Sequence, residues 1–191
     1  MKTGRLEAFS DGVLAIIITI MVLEMKVPEG ANFEDLMPIL PVFLTYLLSF
    51  IYIAIYWNNH HHLLQAVNLV NGKILWANLN LLFWLSLFPF ATGWMGENHF
   101  EANPTALYGA VLFMAALGFK LLVYTVIKNE GKESDIAKVY GNDKKLNLSL
   151  LFYLVGIIIA FYLPLISIIT YLIVALMWII PDKRIEQIVK N

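Results

Sequence analysis

Arg5, Ser10 and Asp11 sit at the head of an apolar segment that continues Val13-Leu14-Ala15-Ile16-Ile17-Ile18-Thr19-Ile20-Met21-Val22-Leu23. An ionised side chain at the centre of a bilayer costs about 2.5–3.5 kcal/mol on insertion scales, so a charge kept inside a membrane-length helix is a functional suspect. A guanidinium, a hydroxyl and a carboxylate there can move protons, handle ions or hydrogen-bond neighbouring helices. A second polar cluster, Trp57-Asn58-Asn59-His60-His61-His62, offers imidazoles for the same tasks or for a metal. Metal ligation by the histidine run fails on geometry. Consecutive helical residues point about 100° apart, so three adjacent imidazoles cannot converge as an i, i+4 pair does. His99 reads as an ordinary exposed loop histidine.

The elements that must position these residues are membrane helices. Of the 191 residues, 60% are hydrophobic and 14% charged, and the mean hydropathy is +0.72, which excludes a water-soluble core with a polar coat. Six apolar runs, at about 6–25, 37–57, 74–92, 106–127, 146–163 and 165–180, each approach the ~20 residues a helix needs to cross ~30 Å of hydrocarbon. The fold class expected is therefore all-α, a single polytopic domain over 1–191 with six transmembrane helices. The fifth and sixth runs share an uncharged stretch, Leu146 to Ile180, which Pro164 divides. Proline is tolerated in a helix's first turn, so Tyr162-Leu163-Pro164 reads as a tight hairpin between two spans.

Glu7 and Asp11 precede or interrupt the first apolar run and no small-x-small site follows, so it reads as a retained helix and not a cleaved secretory signal. Without cysteine there is no disulfide or thiolate chemistry. Lys2, Arg5, Lys73, Lys128, Lys132, Lys138, Lys144, Lys145, Lys183, Arg184 and Lys190 all fall on one side of the six-span reading. Lys26 faces the acids Glu24, Glu29, Glu34, Asp35, Glu97 and Glu101 on the other. The positive-inside bias then places both termini in the cytoplasm. Trp57, Trp76, Trp94 and Trp178 fall near span ends, as an interfacial belt does. Asn32 is placed to cap the second helix. Asn129 to Asn147 reads as a partly helical cytoplasmic loop, and Lys120 lies about two turns inside the fourth span, where it snorkels.

On a 3.6-residue period Gly12, Ile16, Thr19 and Leu23 share one stripe of the first helix with Ile20 beside it. Such a stripe packs against neighbouring helices or, repeated about a symmetry axis, forms a narrow apolar neck that passes or stops ions by wetting. Arg5 lies five residues from Ser10 and six from Asp11, so the three do not share a face. Ser10 and Asp11 are expected to hydrogen-bond the polar end of the second helix, at Asn58, Asn59, His60 or His61, with Asn78 or Asn80 of the third as further partners. No nucleophile elbow, glycine-rich phosphate loop or His-Glu-x-x-His pair is present, which argues against an enzyme.

Arg5-x-x-x-Phe9-Ser10-Asp11-Gly12, followed by Ala15-Ile16 and Thr19, closely resembles the signature of the transmembrane protein 175 family, potassium channels without a carbonyl filter. Tyr56-Trp57-Asn58-Asn59-His60-His61 is similar to that family's second-helix pattern, and length and layout match one bacterial-type repeat. The resemblance implies a homotetramer in a bacterial inner membrane, with four first helices lining the pore. It makes Ile16 the narrowest, selectivity-linked ring, Ile20 and Leu23 further apolar rings, and Thr19 a hydroxyl layer that meets passing K+. Arg5, Phe9, Ser10, Asp11, Gly12, Trp57, Asn58, His60 and His61 would anchor the pore helix. No cofactor, structural metal or nucleic-acid partner is implied; the partners are the bilayer, permeant monovalent cations and further copies of the chain. The function expected is passive, potassium-selective flux. The alternative is a proton-coupled or other secondary transporter in which Arg5, Asp11 and His60 cycle between two states.

Overall fold

The computed structural model describes residues 3–131, 133–141 and 143–179. Lys2, Lys132, Ile180, Lys183, Arg184 and Lys190, used in the charge and span reading, lie outside the described residues. Within them the chain is all-helical: α1 (Gly4–Leu23), a 3-10 turn (Phe33–Ile39) leading into α2 (Leu40–Gln65), α3 (Gly72–Ser86), α4 (Phe88–Glu97), α5 (Ala102–Glu130), α6 (Asp135–Tyr140), α7 (Lys144–Ala160) and α8 (Pro164–Ile179). Four stretches among the described residues are long and apolar enough to cross a membrane: Gly4–Leu23, Phe33–Gln65, Gly72–Glu97 and Ala102–Glu130; Pro164–Ile179 is apolar but shorter.

Local sequence explains most of the boundaries. Proline, which has no N–H to donate, stands in the first turn of α2, α4 and α8 at Pro41, Pro89 and Pro164. At Pro89 the consequence is a break: its ring cannot accommodate the Leu85 carbonyl, so a continuous apolar run becomes α3 and α4, joined at Leu87. The helix start at Gly72 is capped by Asn71, whose Oδ1 accepts from the N–H groups of Lys73 (2.9 Å) and Ile74 (3.0 Å). Asp143 caps α7 likewise through Leu146 N–H at 3.0 Å. Asn32 stands at the start of the 3-10 turn, not of α2, its N–H donating to Asp35 Oδ2 at 2.9 Å. The second helix runs past Trp57 to Gln65 because its polar end finds partners inside the protein, as described below.

α1 packs against α2, α3 and α4, while α7 packs against α5 and α8 on the other side of the subunit. Small residues set the close approaches, as expected where lipid supplies no hydrophobic drive between helices. A Cβ added at Gly96 of α4 would lie 2.7 Å from Val42 Cα of α2, and one at Gly118 of α5 would lie 3.1 Å from Leu81 Cα of α3. Tyr52, Tyr108, Tyr171 and Phe88 fill the centre, and the tyrosine hydroxyls are spoken for: Tyr52 donates to the Tyr171 carbonyl at 2.6 Å, Tyr108 lies 2.9 Å from Ser49 Oγ, and Tyr171 donates to the Thr105 carbonyl at 3.3 Å.

Replacing Gly96 by Leu must force α4 off α2, and overpacking of this kind costs about 1–3 kcal/mol. A thermal melt in detergent should show a clear loss for Gly96→Leu and none for Gly4→Ala, where nothing lies within 4 Å of the added carbon.

Candidate functional site

The two faces of α1 have opposite fates. Leu6, Ser10, Leu14, Ile17 and Met21 are buried in the subunit, whereas Ile16 is 59% and Leu23 81% exposed. Phe9, Gly12, Thr19 and Ile20 stand with them on the exposed side. The stripe identified from the sequence is therefore not used for packing inside the subunit.

Polar residues fix that rotation. Asn78 of α3, fully buried, donates from Nδ2 to Ser10 Oγ at 3.0 Å, and its Oδ1 lies 2.6 Å from His60 Nε2 of α2. Ser10 Oγ in turn donates to the Leu6 carbonyl at 2.8 Å. An amide that gives its N–H to Ser10 has only its oxygen left for the imidazole, so this network assigns the proton to His60 Nε2. Three helices are thus joined by one chain of donors running His60, Asn78, Ser10, Leu6.

Asp11 takes a different partner from those expected. Its Oδ1 accepts from the indole Nε1 of Trp57 at 3.0 Å on the exposed surface, and not from Asn58, Asn59, His60 or His61. The helical offset explains this: Ser10 points into the bundle, and Asp11, about 100° around, meets the side of α2 that carries Trp57. Trp57 stacks on His61, ring centroids 5.8 Å apart, and His61 lies 2.8 Å from Gln65 Nε2. Asn59 turns back to donate to the Ile55 carbonyl at 2.8 Å, Asn58 is half-buried, and Arg5 is exposed. Among the described residues no group of three or more His, Cys, Asp or Glu side chains could hold a metal.

Thr19 Oγ1 donates backward to the carbonyls of Ile16 (2.9 Å) and Ala15 (3.1 Å), leaving its oxygen lone pairs on the exposed face. Further along, Met21 Sδ accepts from Thr92 Oγ1 of α4 at 3.8 Å; that hydroxyl lies 2.7 Å from Ser49 Oγ of α2. Sequence reading missed this second fastening, although hydroxyls inside apolar runs are its signal. Just past the helix, Glu24 shares a cleft with Glu97, Gly93, Trp94 and Phe90. Burial, and then the Glu97 carboxylate, hold its carboxyl above the ordinary value. Glu97 is itself 3.3 Å from Lys26.

An apolar helix bundle with a polar-locked first helix and a free apolar stripe defines an integral membrane protein. A family model described as endosomal/lysosomal potassium channel TMEM175 matches residues 5–89. A potassium channel of Chryseobacterium sp. (strain P1-3) is 57% identical over 191 residues, covering 100% of both chains. The endosomal/lysosomal proton channel TMEM175 of Mus musculus is 28% identical over 141 residues, 65% of this chain and 28% of its own. The crystal structure of a lysosomal potassium-selective channel TMEM175 homolog from Chamaesiphon minutus superposes with a TM-score of 0.81 at 27% identity, covering 93% of this chain and 96% of that one. The chain belongs to the TMEM175 family.

Asn78→Leu should be the costliest single change at this site, since it strands the buried His60 N–H; an unsatisfied buried group costs about 1–3 kcal/mol. Trp57→Phe removes only an exposed bond. Melting temperatures in detergent should fall markedly for the first and little for the second.

Proposed function

We propose that the protein is a potassium-selective channel that carries passive flux, a single domain over 1–191 with six spans and both termini cytoplasmic in a bacterial inner membrane. Four copies surround a pore lined by α1. The observation that carries this reading is the exposed stripe: Ile16 and Leu23 face away from their own subunit while the opposite face of α1 is tied to α2, α3 and α4. The full-length similarity to a chain named as a potassium channel supports the ion.

In that assembly Ile16 is the narrowest ring, with Ile20 and Leu23 as further apolar rings. An apolar constriction discriminates by what it costs an ion to shed or carry its water, and it closes by dewetting. Thr19, its proton committed to the backbone, offers oxygen to a passing K+. The driving force is about 2.3 kcal/mol per elementary charge per 100 mV. Ser10, Asp11, Trp57, Asn58, His60 and His61 position the helix and need not touch the ion, while Arg5, Phe9 and Gly12 stand on its exposed side. A transporter cycling through Arg5, Asp11 and His60 finds less support: Asp11 is bonded to Trp57 and His60 to Asn78, so acid and imidazole lie on separate hydrogen-bonded paths.

Potassium and sodium flux into proteoliposomes tests the reading, with valinomycin to verify intact vesicles. Wild type should pass K+ and little Na+, and Ile16→Asn should lose the discrimination. Absence of flux from verified tetramers would return the protein to the transporter or to a non-conducting scaffold.

Glu24 supplies a pH dependence. Its raised pKa means that, as external pH falls, the carboxylate beside the last apolar ring is neutralised earlier than an ordinary glutamate. Potassium current should decline on external acidification with a midpoint above that of an ordinary glutamate, and Glu24→Gln should abolish that component.

A further inference from the structure

Lys120 is the one described cation set well inside a long apolar helix, ten residues before the end of α5. Its side chain is exposed, and Nζ donates to Asn147 Oδ1 of α7 at 2.7 Å. An ammonium has three donors, and a neutral amide oxygen leaves its charge uncompensated. Among the described residues, Lys120, Lys128 and Lys144 form no ion pair with an acid; Lys26 with Glu97 is the pair present. Two acids at this end of the bundle are engaged elsewhere: Glu130 accepts from Asn68 at 2.8 Å, and Asp143 caps α7.

The surroundings of Lys120 have the composition of a lipid's two ends. Tyr124 and Lys128 follow it at four-residue steps on the exposed side of α5, and Lys144 precedes Asn147 by three on α7. These lie toward the end of the bundle where α5 finishes and α7 starts. Leu148 and Leu151 continue the exposed side of α7 in the other direction. Cationic and hydroxyl groups thus sit at the rim, and branched aliphatic side chains run from them toward the membrane interior. The seam lies between helices remote from α1, which packs on α2, α3 and α4.

We infer that the α5–α7 seam binds one anionic phospholipid, its phosphodiester taking hydrogen bonds from Lys120 and Tyr124 with Lys128 and Lys144 beside it, and an acyl chain lying along Leu148 and Leu151. Charge complementarity selects the occupant: a zwitterionic headgroup brings its own cation to a site already carrying three. Basic pockets between membrane helices on the cytoplasmic side take anionic headgroups for this reason. The leaflet rests on the topology proposed above; the site does not.

Native mass spectrometry of the full chain, purified in detergent and titrated with phosphatidylglycerol or phosphatidylcholine, tests the inference independently of flux. Wild type should retain phosphatidylglycerol in preference. Lys120→Gln, which keeps a donor for Asn147, should weaken that retention about fivefold, the worth of one lysine near an anionic leaflet. Lys120→Arg should restore it, and phosphatidylcholine should be indifferent to both. Equal phosphatidylglycerol retention by Lys120→Gln and wild type overturns the site. So does loss of the oligomer in Lys120→Gln with lipid retention unchanged, which would make this face a contact between copies of the chain.

Discussion

Everything in this bundle depends on one requirement: a polar group in hydrocarbon must find its partner within the protein, because no water is there to take its place. Asn78 makes that requirement structural. Its amide has a donor end and an acceptor end, and only one arrangement of Ser10 and His60 satisfies both. Rotating α1 by a single residue would carry Ser10 about 100° away and leave the buried Asn78 amide N–H without its partner. The rotation of the helix is thereby fixed by hydrogen-bond bookkeeping, and its apolar neighbours, which would tolerate several rotations, merely follow.

A second fastening repeats the device nearer the other end of α1, where Met21 meets the Thr92 hydroxyl and Thr92 meets Ser49. Met21 stands eleven residues after Ser10, which is close to three full turns, so both fastenings lie on one face. A helix held on one face at two levels can neither roll nor tilt freely, and its opposite face is determined in consequence. Ile16, Thr19, Ile20 and Leu23 occupy that opposite face. The anchor residues and the stripe are therefore two halves of one design: the first is costly to bury and gives orientation, and the second is left uncovered by its own subunit.

How much of this can be read without coordinates depends on whether the signal is periodic or pairwise. Helix class follows from composition, and the stripe on α1 follows from the 3.6-residue period. Prolines mark three helix starts, although Pro89 looks like a late position in one span and turns out to split it into α3 and α4. Pairing is a different matter. That Ser10 and Asp11 need partners is evident from their cost of burial; which partner each takes depends on crossing angles that no local pattern encodes. Asn78 is one of several partners the sequence offers Ser10, whereas the Trp57 indole, which reads as an interfacial aromatic, is what Asp11 meets. The Thr92–Ser49–Tyr108 set lies across residues separated by 43 and 59 positions, far outside any window in which spacing informs.

The chemistry of the stripe also bears on how an apolar ring could discriminate between ions. Ile16 and Ile20 are β-branched, and in a helix such side chains keep essentially one χ1 rotamer. The width of a ring built from them is then set by the position of the backbone, with little slack from side-chain motion. Leucine or methionine at the same depth would let the aperture breathe independently of the helix. Stiff side chains would, in the proposed tetramer, transfer the problem of selectivity to the placement of α1, which the Ser10–Asn78–His60 and Met21–Thr92–Ser49 fastenings hold. In the proposed tetramer a change of aperture must accordingly come from α1 moving together with the α2, α3 and α4 residues that hold it. On that proposal the gate would be a property of the whole subunit, with the isoleucine ring as the place where its motion is read.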